Sequence, residues 1–148
     1  MNSRLAPCAY LVAFLLIAIP LFDASMSVAP WALGSAQWRF GAVGLLSNAL
    51  MIPAAGALIA VATAVTQDHV RAQRVFRVLC WMGCVLVAIS IVIFALDALQ
   101  TRVAIRPEMQ LSYRVASATA AFKLILGAVA FAFFARACRR ASEPVRAR

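Results

Sequence analysis

The chain has 148 residues, of which 65% are hydrophobic and 13% charged, with a net charge of +9. Soluble domains are about 45–50% apolar and about 25% charged, so too little polar surface is present to cover a water-soluble fold. The same balance excludes a disordered tail protein, a disulfide-stapled secreted scaffold and a coiled coil. An all-α integral membrane protein is the class that remains.

Four apolar runs dominate the chain, and they predict four transmembrane helices over about residues 5–22, 40–65, 75–97 and 112–136. Each is close to the ~20 residues that cross a ~30 Å hydrocarbon layer as a helix. None alternates polar with apolar residues, as a barrel strand must. The whole chain is therefore expected to be a single membrane domain, a four-helix bundle, with a basic cytoplasmic tail over residues 137–148. The first run follows Arg4 and precedes Ala24 and Ser25, which invites comparison with a signal peptide. It is longer than a usual signal core and ends on no A-x-A site, so a retained helix is expected.

Between the first two runs lies an outer connection containing Trp31, Trp38, Arg39 and Phe40. Tryptophan combines an apolar ring with one N–H donor and favours the headgroup layer. The segment is expected to lie on the outer leaflet as an aromatic belt, or to dock a partner.

The second run carries Gly44, Asn48, Ile52, Gly56 and Ala60 at intervals of four. Small residues at that spacing form a close-packing face, and Asn48 adds a hydrogen bond across it. Pro53 lacks an N–H for the carbonyl of Ala49 and is expected to kink the helix there.

The third run ends at Asp97, which is expected to mark the membrane boundary and to pair with Arg102, Arg106 or Arg114. The fourth holds Lys123, the single ionisable residue deep within a run. A charge at that depth costs about 2.5–3.5 kcal/mol on insertion scales, so it is expected to face protein or water rather than lipid.

Cationic residues set orientation. Arg4, Arg71, Arg74, Arg77, Arg136, Arg139, Arg140, Arg146 and Arg148 would share one side, against Arg39, Arg102, Arg106 and Arg114 on the other. That asymmetry predicts both termini in the cytoplasm. Thirteen Arg against one Lys, with abundant Ala, points to a high-GC bacterium and hence its inner membrane. The basic residues flank apolar runs and form no separate module, so nucleic acid is not an expected partner. Membrane lipids, another membrane protein or further copies of the chain are.

Chemistry-bearing motifs are sparse. One histidine, His69, cannot supply bis-His haem ligation, and it reads as a solvated loop residue. Cys8, Cys80, Cys84 and Cys138 read as small packing residues rather than a metal or redox site. No catalytic, cofactor-binding or metal-binding residues are expected. No carboxylate lies deep within the runs, which disfavours a proton-coupled multidrug transporter.

The segment WALGSAQWRF leading into MIPAAGALIA resembles the HpsJ-like small membrane proteins. There an outer Trp-containing segment enters a helix with a Pro-x-x-Gly step, here Pro53 and Gly56. The resemblance covers the first two runs and the start of the third. It implies an association with exopolysaccharide production, and it carries over no catalytic residues. The function expected from the sequence is an accessory or scaffold subunit that binds another membrane protein through helix faces and the Trp segment. The interface residues would be Trp31, Trp38, Gly44, Asn48, Gly56 and Lys123. The alternative is a small oligomeric transporter or channel built around Lys123 and Asn48, and a thiol-linked redox protein comes third.

Overall fold

A computed structural model describes residues 5–142, and these are helical with no strand among them. In chain order the elements are α1 (Ala6–Ser27), α2 (Ala36–Ala49), α3 (Met51–Thr66), α4 (Val70–Ala104), a 3₁₀ turn (Pro107–Met109) and α5 (Gln110–Ser142). Three helices are long and apolar enough to cross a membrane, and α2 with α3 makes a fourth if the bent pair counts as one span.

That bent pair is the kink expected beside Pro53, and it divides the expected helix over residues 40–65 into two, the first starting earlier, at Ala36. The axis turns by 44° at Leu50. Pro53 explains the place, because its missing N–H leaves the carbonyl of Ala49 without its helical donor. The ladder resumes at once, with Ala54 N–H donating to the Leu50 carbonyl at 3.1 Å. The other helices outrun their apolar cores. α4 starts at Val70 and α5 continues to Ser142, so part of the expected tail is helical. Arg4 and residues 143–148 lie outside the described residues.

Local chemistry accounts for the ends. Ser35 caps α2 by accepting from the Trp38 N–H, and Pro7 sits in the first turn of α1, where no intrahelical donor is needed. Asp68 turns the chain between α3 and α4 with φ 51°, a conformation that Asp tolerates better than most residues. Buried Gln73 donates from Nε2 to the Ala64 carbonyl at 3.0 Å, a group in the last turn of α3 that also accepts from the His69 N–H.

Packing fixes the directions. α4 and α5 run antiparallel, since Tyr113 Oη donates to the Ala98 carbonyl at 2.7 Å near one end and Phe134 packs with Cys80 near the other. α1 is antiparallel to α3, with Gly56 against Ala13 and Tyr10 meeting His69. α2 runs antiparallel to α4 but alongside α5. One core cluster centres on Leu50, Val87, Phe94 and Leu124, and the other on Val61, Cys80, Phe134 and Cys138. The outer surface is apolar as well, with Phe14, Phe22, Leu86, Val92, Phe122 and Phe133 all exposed. Hydrocarbon suits such a surface, whereas soluble monomers seldom expose patches beyond a few hundred Å².

Leu50 packs directly on Gly127, where an added Cβ would collide with its δ-methyl group. Gly127→Ala is expected to destabilise the bundle by about 1 kcal/mol, because the flexible Leu50 tip can partly move away. A thermal melt of the reconstituted protein checks this, and unchanged stability would contradict the packing.

Candidate functional site

The end of the bundle that carries the 28–35 connection is held by a forked ion pair. Arg39, near the start of α2, donates from Nε to Asp97 Oδ2 at 2.9 Å and from Nη2 to Asp97 Oδ1 at 2.7 Å. Its third nitrogen, Nη1, donates to the Leu33 carbonyl at 2.8 Å. Asp97 is only 2% exposed. Two-pronged Arg–carboxylate geometry is the strong form of charge-assisted hydrogen bond. The expected partners of Asp97, namely Arg102, Arg106 and Arg114, are thus replaced by Arg39, 58 positions earlier. A helix-to-helix pair wins because the carboxylate points into the bundle rather than toward the 105–109 connection.

Aromatic rings build on this clasp. Phe40 stacks on Phe94 at 4.9 Å between ring centres and on Tyr113 at 5.1 Å, tying α2, α4 and α5 together. Trp38 Nε1 donates to the Val28 carbonyl at 3.1 Å, and Trp31 lies 6.2 Å from Trp38. Trp31 itself is 64% exposed. The connection is therefore a pinned platform with one tryptophan turned outward.

About two and a half turns along α2 from Arg39, the ammonium of Lys123 donates to Asn48 Oδ1 at 2.7 Å. Asn48, Thr119, Gly44, Phe40, Phe94 and Ala116 line a cleft of about 390 Å³ between α2 and α5. Thr119 and Ser47 spend their hydroxyl protons on their own helices, at the Val115 and Gly44 carbonyls. The Asn48 amide N–H₂ and two ammonium protons of Lys123 have no acceptor among the described residues. No carboxylate pairs with Lys123 there either. The cleft is thus rich in donors and short of acceptors.

The expected single face of Gly44, Asn48, Ile52, Gly56 and Ala60 does not exist as such, because the bend divides it. An added Cβ on Gly44 would meet nothing within 4 Å, so this end of α2 is open. Gly56 instead packs against α1, where a Cβ would stand 2.8 Å from the Ala13 carbonyl oxygen. Ile52, between them, is exposed. Gly44, Asn48 and Lys123 therefore belong to one side of the bundle and Gly56 to another contact, while Trp38 is held at the 28–35 connection.

His69 lies in the α3–α4 turn, as expected of a solvated loop residue. It is exposed, yet it shares a 3.0 Å hydrogen bond with the Tyr10 hydroxyl, and Tyr10 also stacks on Phe76. The contact ties the α3–α4 turn to α1. None of the four cysteines forms a disulfide. Cys80 and Cys138 are buried in one core cluster, and Cys84 Sγ is 3.6 Å from the Ala128 carbonyl. No group of three or more metal-ligating side chains occurs among the described residues.

The pairing of Arg39 with Asp97 is what sequence reasoning missed. One signal was available: Arg39 opens the second apolar run and Asp97 closes the third, so both stand at the same level. No known family profile matches the chain, and no curated protein or solved structure matches it.

Proposed function

We propose that the chain is a non-enzymatic accessory or scaffold subunit of a bacterial inner membrane, with both termini cytoplasmic. It docks another membrane protein along the side formed by Trp31, Gly44, Asn48 and Lys123. The observation that carries this reading is the set of spare donors on Lys123 and Asn48, opening sideways next to the uncovered Gly44. Polar groups at such depth are costly when they face lipid, and small residues let a second backbone approach. A partner helix that brings acceptors satisfies both. The HpsJ-like resemblance agrees with a role of this kind.

Photo-crosslinking tests it. A crosslinker at Gly44 should give one adduct of defined mass with a different membrane protein, and a crosslinker at Val92 should not. Equal, diffuse labelling from both positions would defeat the reading. Reporter fusions active only outside the cytoplasm should be silent at Arg148 and active near Ser35, and the reverse pattern would overturn the orientation.

The second reading, an oligomeric transporter or channel, rests on the same Lys123–Asn48 pair. It requires solute flux from the purified chain alone in liposomes, abolished by Lys123→Leu.

A further inference from the structure

At the opposite end of the bundle from the Arg39–Asp97 clasp, a groove of about 820 Å³ opens on the outer side of α4. Arg77 and Arg139 border it, and Trp81, Met82, Val85 and Leu86 form its body. No carboxylate is among its lining residues. Arg77 immediately precedes the uncharged stretch 78–96, and Arg139 lies just beyond the apolar part of α5. Both guanidinium groups therefore stand at the level where hydrocarbon gives way to headgroups. From Arg77 to Leu86 the helix rises roughly 13 Å, at ~1.5 Å per residue, so the apolar floor follows the upper part of an acyl chain.

We propose that this groove is a binding site for one anionic phospholipid of the leaflet on the α3–α4 turn side. The phosphate lies between Arg77 and Arg139, and an acyl chain runs over Trp81, Met82, Val85 and Leu86. Charge complementarity selects this occupant. Two arginines at a rim match phosphate oxygens through paired N–H donors. Basic pockets at the cytoplasmic ends of spanning helices attract acidic headgroups, whereas a zwitterionic lipid offers no net charge to reward. A partner helix would meet the two cations only if it carried acids at its boundary, and a free anion would leave the long apolar floor uncovered.

The site rests on the membrane insertion proposed above, and the test separates the two. Trp81 lies within the groove, while Trp31 and Trp38 are at the other end of the bundle. In a Trp31→Phe, Trp38→Phe background, Trp81 fluorescence reports acyl chains that touch the groove. The full chain is reconstituted into phosphatidylcholine vesicles, and brominated phosphatidylglycerol or brominated phosphatidylcholine is titrated in.

Phosphatidylglycerol should quench Trp81 at about tenfold lower mole fraction, since each arginine near the surface adds an appreciable attraction. Arg77→Gln with Arg139→Gln should remove that preference while leaving quenching by phosphatidylcholine intact. Arg77→Lys with Arg139→Lys should retain part of it. Native mass spectrometry of the unsubstituted chain provides a second readout that needs no tryptophan replacement, and it should show one retained phosphatidylglycerol, absent from the double Gln variant.

Equal quenching by the two lipids, or a preference that survives the double Gln change, would overturn the lipid site alone. Relief of quenching by soluble glycerol phosphate would show a free-anion site and also defeat the proposal. Failure of both brominated lipids to quench would instead defeat membrane insertion.

Discussion

Arg39→Ala is expected to lower the thermal midpoint of the reconstituted protein by ~10 °C, because it strands a buried carboxylate without its cation. Asp97 has no water to turn to, and its two oxygens lose the Nε and Nη2 donors together. The reciprocal change, Asp97→Ala, should cost less. About a third of the Arg39 side chain is exposed (31%), so the orphaned guanidinium can reach water or headgroups while keeping its bond to Leu33. Removing both should cost less than the sum of the single changes, which is the signature of a direct pair. Melting curves for the four proteins of that cycle check the pair. Additive losses would show that Arg39 and Asp97 act independently.

Gly56→Leu is expected to produce the second large effect, at the upper end of the ~1–3 kcal/mol typical of overpacking. At Gly127 the obstacle is a mobile leucine tip, but at Gly56 it includes the main chain of α1. An added Cβ would stand 2.8 Å from the Ala13 carbonyl oxygen, 2.9 Å from Ile17 Cγ1 and 3.1 Å from Leu16 Cβ. The helices must part, and the Tyr10–His69 contact at the end of the same pair should loosen with them. Gly44→Leu should leave the isolated chain as stable as before, since an added Cβ there would meet nothing within 4 Å. If it also abolishes the complex with the other membrane protein, the open face is used by that partner. A Gly56→Leu protein that melts like the unsubstituted chain would contradict the α1–α3 contact.

The contrast between these two glycines shows where the sequence was legible. Apolar runs announce helices because length and hydropathy are local properties, and the kink beside Pro53 follows from one missing N–H. Lys123 stood out for a similar reason, as a lone charge in an apolar stretch. Spacing alone could not show that the 44° bend turns Gly44 and Gly56 toward different neighbours. Nor could it choose a partner for Asp97. Three arginines lie nearer in the chain, and the winning one is fixed by how α2 packs on α4. His69 illustrates the same limit, because its contact with Tyr10 depends on α1 lying against α3.

The central claim is that the Lys123 side of the bundle docks a different membrane protein. Native mass spectrometry of discs cut directly from the native membrane with a solubilising polymer tests it most directly. The account predicts one heteromeric complex of fixed stoichiometry, dissociated by Lys123→Leu while the chain itself remains folded. Discs that hold only copies of this chain, or a complex that survives Lys123→Leu unchanged, would contradict it.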